Sequence, residues 1–238
     1  MADIKTVARG YVPEDEKFFS EGALKILRTA SRDIKYLVDQ GYPIKNASVF
    51  VGNHYTLSER QRLALVRSIS SDIQLEVRKQ KEISVLPEGA VLFIDGFNTV
   101  ITLEVAFSGS PVFECMDGTV RDLAGLRGTY RLIDKTDLAV NAIGEFLSES
   151  RIKKAVFYLD SPVSNSGRLG KKIKETFEKY SFETEVIIMN EVDYALKQIN
   201  GTVVSSDAII LDNCMNWYNM SRKILEKEDM MKNAYNIF

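Results

Sequence analysis

The chain has 238 residues, 45% of them hydrophobic and 27% charged, with a formal net charge of −2. That suffices for one large domain or two smaller ones, and it excludes a polybasic or acidic tail, so any nucleic-acid surface must be a local basic patch. Two cysteines, Cys115 and Cys214, and a single histidine, His54, speak against a disulfide framework or zinc site and rule out a His-rich metal site or a serine–histidine triad in the second half.

The first ten residues have no apolar leader, and no apolar run reaches the roughly 18 residues of a membrane span. The expected location is the cytoplasm, with no membrane partner.

Residues 1–13 read as an irregular lead-in. Over 14–40, Leu24, Leu27, Ile34, Leu37 and Val38 recur at helical spacing, and Gly41 and Pro43 end the helix. A short helix is expected over 43–51. Ser58-Glu59-Arg60-Gln61 then reads as a capping box that opens one long helix to about residue 81, with Leu63, Val66, Ile69, Ile73 and Val77 on its apolar face. The first third, 1–86, is therefore an all-helical domain. His54 reads as a capping or packing residue. The basic residues Arg60, Arg62, Arg67, Arg78, Lys79 and Lys81 suit either phosphate or a solvated helix face, and no recognition helix stands out.

Pro87-Glu88-Gly89 marks the boundary, and 87–238 alternates strands with helices. Val91-Leu92-Phe93-Ile94 is a buried strand that runs into Asp95 and Gly96. A helix over 98–107 carries Glu104, an edge strand is expected over 111–115, and a Gly-interrupted stretch carries Arg121, Arg127 and Arg131. Further strands are expected at 155–159, 185–189 and 203–204, with helices at 135–148, 165–180, 192–199 and finally 208–227. Strands separated by helices imply a mainly parallel sheet, so the fold class is α/β.

Three strands end on an acid: Asp95, Asp160 and, three residues past its strand, Asp207. In a parallel sheet every carboxyl end lies on one edge, where ligands bind. Asp193, which opens the helix before the last strand, falls on the same edge. Aspartates there also cap helices, and Asp95-Gly96 is a common turn pair. Gathered together, however, they repel, and a hard cation such as Mg²⁺ or Mn²⁺ offsets that repulsion. Such a site activates water and stabilises charge on a phosphoryl group. Glu104, Asp122 and Asp212 are open as further members.

Asp95-Gly96-Phe97-Asn98 resembles the Asp-Gly-x-Asn opening of the NYN branch of PIN-like nucleases. Residues 191–196 followed by 202–207 resemble that group's later acid pair, a helix-borne aspartate before a strand ending in a Ser/Thr-x-Asp turn. The resemblance covers about 90–215 and implies a PIN-like three-layer α/β/α domain. It also implies a Mg²⁺ or Mn²⁺ ion on Asp95, Asp193 and Asp207, and RNA as substrate. Asp160 stands where some members have a further acid. The family's ending after the last acid is replaced here by Asp207-Ala208-Ile209-Ile210-Leu211-Asp212. The whole chain also resembles a prokaryotic family that joins a helical domain of unknown function to a second domain of unknown function, through 13–16, 57–62, 121–125 and 160–168; it brings no activity with it.

The loop 161–168, with Ser164, Asn165, Ser166 and Arg168, follows a strand and opens a helix. Its hydroxyls, amide and free N–H groups suit an RNA phosphate, and equally a capped helix with a solvated face. The expectation is a metal-dependent ribonuclease in which Asp95, Asp160, Asp193 and Asp207 act, while Asn98, Arg121, Arg127, Arg131 and the 161–168 loop hold substrate. The alternatives are an RNA- or nucleotide-binding module without cleavage, and a hydrolase of a small phosphate ester.

Overall fold

The computed structural model describes residues 8–125 and 128–238. Its first part is helical: α1 (Asp15–Phe18), α2 (Glu21–Asp39), α3 (Ile44–His54), α4 (Glu59–Ser68) and α5 (Asp72–Lys81). The single helix expected over 14–40 breaks at Ser20, whose extended backbone and side chain cap α2 through the Ala23 N–H. Ser58 and Gln61 form the expected capping box. The long helix expected to follow is instead two helices. Ile69 is extended and buried, and Ser71 with Gln74 makes a second capping box that starts α5. The apolar face drawn along one long helix therefore dissolves. Ala64, Leu65 and Ser68 are the buried side of α4, while Ile73 is exposed.

The α/β part comprises β1 (Val91–Asp95), α6 (Gly96–Phe107), β2 (Val112–Glu114), β3 (Val120–Asp122), α7 (Asp134–Glu149), β4 (Lys154–Asp160), α8 (Ser166–Phe177), β5 (Glu183–Met189), α9 (Val192–Gln198), β6 (Thr202–Val204), α10 (Ala208–Asn213), β7 (Asn216–Trp217) and α11 (Met220–Lys227). Five strands form a sheet in the order β5-β4-β1-β6-β7, all pairs parallel. β2 and β3 form a separate antiparallel hairpin. The final helix expected over 208–227 is interrupted by β7, because Trp217 is fully buried and its indole N–H donates to the Arg78 carbonyl at 2.7 Å.

Side-chain alternation gives the sheet a core on each face. Leu92, Ile94, Phe157 and Leu159 pack with α6, α7, α8 and α11, while Phe93 and Tyr158 face α9, α10 and Trp217. The helical unit's own core includes Phe113, Leu123 and Ile237 from the α/β part. The rings of Phe19, Phe113 and Tyr235 meet there at 4.9–5.5 Å. Among the described residues no helix is long and apolar enough to cross a membrane.

Candidate functional site between the helical unit and the sheet edge

The strand order reverses at β1: the chain moves from β1 to β4 and β5, then returns to β6 on the other side of β1. At such a switch point the carboxyl ends of adjacent strands splay and leave a crevice. Here the crevice is a cleft of about 500 Å³, within the size range of ligand sites. Asp95, Asp160, Asp193 and Asp207 line it together with Asn98, Arg121 and Asp122. The helical unit contributes Ile44, Val66, Arg67 and Ile69 to the same lining.

Asp95 sits at the floor, 6% exposed. It ends β1 and caps α6 directly, its Oδ1 accepting from the Asn98 N–H at 3.2 Å. Gly96 is required less for a turn than for space. A Cβ there would lie 2.6 Å from Leu159 Cδ2 and 3.0 Å from the Tyr158 carbonyl oxygen. Ser205 Oγ donates to Asp95 Oδ2 at 2.8 Å. Asn98 Oδ1 accepts from both the N–H and hydroxyl of Ser206, at 2.8 and 2.9 Å. The ends of β1 and β6 are thus laced together.

The acids are graded from floor to rim. Asp160 and Asp207 are half-buried, and Asp193 is exposed. Asp207 Oδ1 caps α10 through the Ile209 and Ile210 N–H groups, while among the described residues the Asp193 carboxylate takes no hydrogen bond or ion pair. Burial pushes the Asp95 carboxyl up to about 7, against the Ser205 and Asn98 hydrogen bonds, with the charges of Asp193 and Asp207 adding to the rise. Partial desolvation in the cleft also raises Asp193, helped by the charges of Asp207 and Asp160 and opposed by Lys197. Burial raises Asp160 against a backbone hydrogen bond from Val192.

The remaining sequence candidates fall in different places. Glu104 is buried away from the cleft, where Tyr130 Oη donates to it at 2.7 Å and Thr136 and Arg9 also contact it. Asp122 lines the cleft but is held by Thr102 Oγ1 at 2.9 Å and the Ala124 N–H at 2.7 Å. Asp212 pairs with Arg78 at 2.7 Å. Arg121 lines the cleft, yet its guanidinium is engaged by Asp117 and by the Ser206 and Arg67 carbonyls. Ser164 and Asn165 turn back onto Tyr130, and Ser166 onto the Asp160 and Val163 carbonyls. Arg131 and Arg168 are exposed outside the cleft lining. Arg127 lies outside the described residues.

Neither the Ser205 and Ser206 clasp nor the helical part of the lining carries a sequence pattern that marks it as part of the site. Arg67 is one of six basic residues alike in sequence, and the fold separates them. Arg60 pairs with Asp15, Arg62 with Asn53, and Lys81 with the Asp212 carbonyl, whereas Arg67 opens on the cleft.

A family model described as Domain of unknown function (DUF5616) matches residues 86–223. The chain belongs to this family. A second model, Protein of unknown function (DUF434), matches residues 26–81. The chain is similar to an uncharacterized protein of Methanocaldococcus jannaschii, 39% identical over 187 residues, which is 78% of this chain and 88% of the relative. No solved structure matches. All four aspartates lie within the DUF5616 match, and Ile44, Val66, Arg67 and Ile69 lie within the DUF434 match. The cleft is therefore built by both family segments.

Proposed function

We propose that the cleft is the active site of a divalent-cation-dependent nuclease of PIN/NYN-like type that hydrolyses RNA. The observation that carries this reading is the meeting of Asp95, Asp160, Asp193 and Asp207, from four separate stretches of chain, in one cleft. The strand order with its switch at β1 and helices packed on both sheet faces supports a PIN-like three-layer arrangement. The Asp95-Gly96-Phe97-Asn98 turn, clasped by Ser205 and Ser206, supports the same assignment.

The donor set suits a hard cation: carboxylate oxygens, like charges facing one another, and burial that leaves Asp95 costly as an anion. Among the described residues no three acidic, histidine or cysteine side chains are grouped as a metal shell. Mg²⁺ commonly takes only one or two carboxylates directly and keeps several waters, so Asp95 with Asp193 or Asp207 fits it. A bound ion supplies water activation and stabilises charge on the phosphoryl oxygens. The chain's own part is positional. Ser205 and Asn98 aim Asp95 at the cleft, the α10 cap fixes Asp207 while leaving Oδ2 outside the cap bonds, and Asp193 offers an unengaged carboxylate at the rim.

The test is cleavage of labelled RNA with Mn²⁺ by the full chain beside Asp95→Asn and Asp193→Asn. Loss of cleavage in both variants is expected, and equal cleavage by all three ends the reading. A second reading, RNA binding without cleavage, is favoured by the commitment of Asp207 Oδ1 to its helix cap. It predicts no Mn²⁺ binding by calorimetry alongside salt-sensitive RNA binding.

A further inference from the structure

We propose that Arg67, carried by α4 of the helical unit, is the cation that grips an RNA phosphate in this cleft, with the part-exposed Ile44 and Val66 of the same lining receiving the adjoining nucleoside. The inference rests on the reading of the cleft as an RNA site, and it gives the helical unit a direct part in binding substrate.

A cleft lined by five aspartates, the four above and Asp122, carries more negative charge than one divalent ion offsets, so a fixed positive charge in its lining favours a polyanion. Three arginines line it: Arg67, Arg78 and Arg121. Two are spent. Arg78 is 1% exposed and bonded to Ser70, Asp117 and Asp212. Arg121 is 7% exposed and bonded to Asp117 and two carbonyls.

The Arg67 side chain remains 32% exposed. Its Nη1 donates to the Asp122 carbonyl and lies 3.6 Å from Asp122 Oδ1. Among the described residues its Nε and Nη2 have no partner, which leaves three of the five guanidinium N–H groups for an incoming anion. The Asp122 contact holds the fork in place, so less side-chain freedom is lost when a phosphate is taken bidentately.

Ile44 and Val66, both part-exposed, add apolar surface from the helical unit to the same cleft, over the buried Ile69. A nucleotide presents this same pair of features, a charged phosphate next to a largely apolar base. The assignment moves phosphate binding to the helical unit, away from Arg121, which is already bonded, and from the 161–168 loop, where Ser164, Asn165 and Ser166 bond to backbone carbonyls and Arg168 lies outside the cleft lining.

The experiment measures binding of a fluorescent oligouridylate over a salt series in the presence of Mg²⁺. It uses the full chain carrying Asp95→Asn, so that the probe is not consumed, and the same chain carrying Arg67→Gln or Arg67→Lys in addition. Arg67→Gln is expected to weaken binding about tenfold and to lower the salt slope by about one unit. Arg67→Lys is expected to keep the slope and lose part of the affinity. Unchanged thermal midpoints show the fold intact, and if the Gln variant unfolds, the Lys variant decides by its affinity. Equal affinity and slope in all chains overturn the role of Arg67 and leave the RNA reading standing. Absence of oligouridylate binding in every chain overturns both.

Discussion

Two buried acids, Asp117 and Asp95, behave oppositely in this molecule. At the joint between α5 and the α/β part, the Asp117 side chain is fully buried. It is nevertheless saturated: Oδ2 accepts from Arg78 at 2.6 Å and from Arg121, and Oδ1 from the Thr119 N–H at 3.1 Å and hydroxyl at 2.6 Å. Burial pulls its carboxyl upward, but the Arg121 charge, the Thr119 hydrogen bond and the Arg78 charge outweigh it, and the net shift is downward. At the sheet edge, Asp95 is as deeply placed but faces other carboxylates, and its net shift is upward. The joint spends its charges on holding two units together. The edge leaves its charges unpaired, which a fold tolerates where something else is to bind.

The comparison is broken most severely at the joint. Asp117→Ala leaves Arg78 and Arg121 buried without their shared anion and is expected to cost about 3–5 kcal/mol in urea unfolding. Because the Asp117 carboxyl is lowered, its contribution is present above its unfolded value and is lost as pH falls. A loss under about 1 kcal/mol would mean that the joint is not held by this cluster.

At the edge the sign reverses. The unfolded carboxyl titrates near 3.8 and the folded Asp95 near 7, so the folded chain binds the extra proton between those values and stability falls as pH rises through that window. Three units correspond to about 4 kcal/mol. Asp95→Asn should therefore unfold like the parent near pH 4 and become more stable than it at pH 8. A parallel pH dependence of the two chains contradicts this account.

The smallest effect sharpens the same contrast. A divalent ion that binds only the folded chain raises stability by about 2.7 kcal/mol at a hundredfold excess over its dissociation constant. Mn²⁺ is expected to raise the thermal midpoint of the parent at pH 8, with the gain reduced in Asp193→Asn. An equal gain in both chains places the ion elsewhere.

Much of the local structure was legible in the residue order. The Ser58 capping box, the β1 run into Asp95 and the alternation of strands and helices follow from contacts a few residues apart. Ser71-x-x-Gln74 also carried a helix-start signal, but continuous periodicity masked it, and only the burial of Ile69 and the hydrogen bond that Arg78 Nη1 donates to Ser70 Oγ explain the break. β7 was invisible for a related reason: two residues make no pattern, and Trp217 is strand because it docks on β6 and Arg78.

The sequence by itself determined which side chains carry carboxylates and that the strand ends deliver three of them, because strand and helix periods are local properties. Only the tertiary structure decided that Arg78 of the helical unit shares Asp117 with Arg121. It alone decided that Arg67 from the helical unit lines the same cleft as the acids. Arg78 and Asp117 are 39 residues apart and Arg67 and Asp122 are 55 apart, so these meetings are settled by packing rather than by neighbours along the backbone.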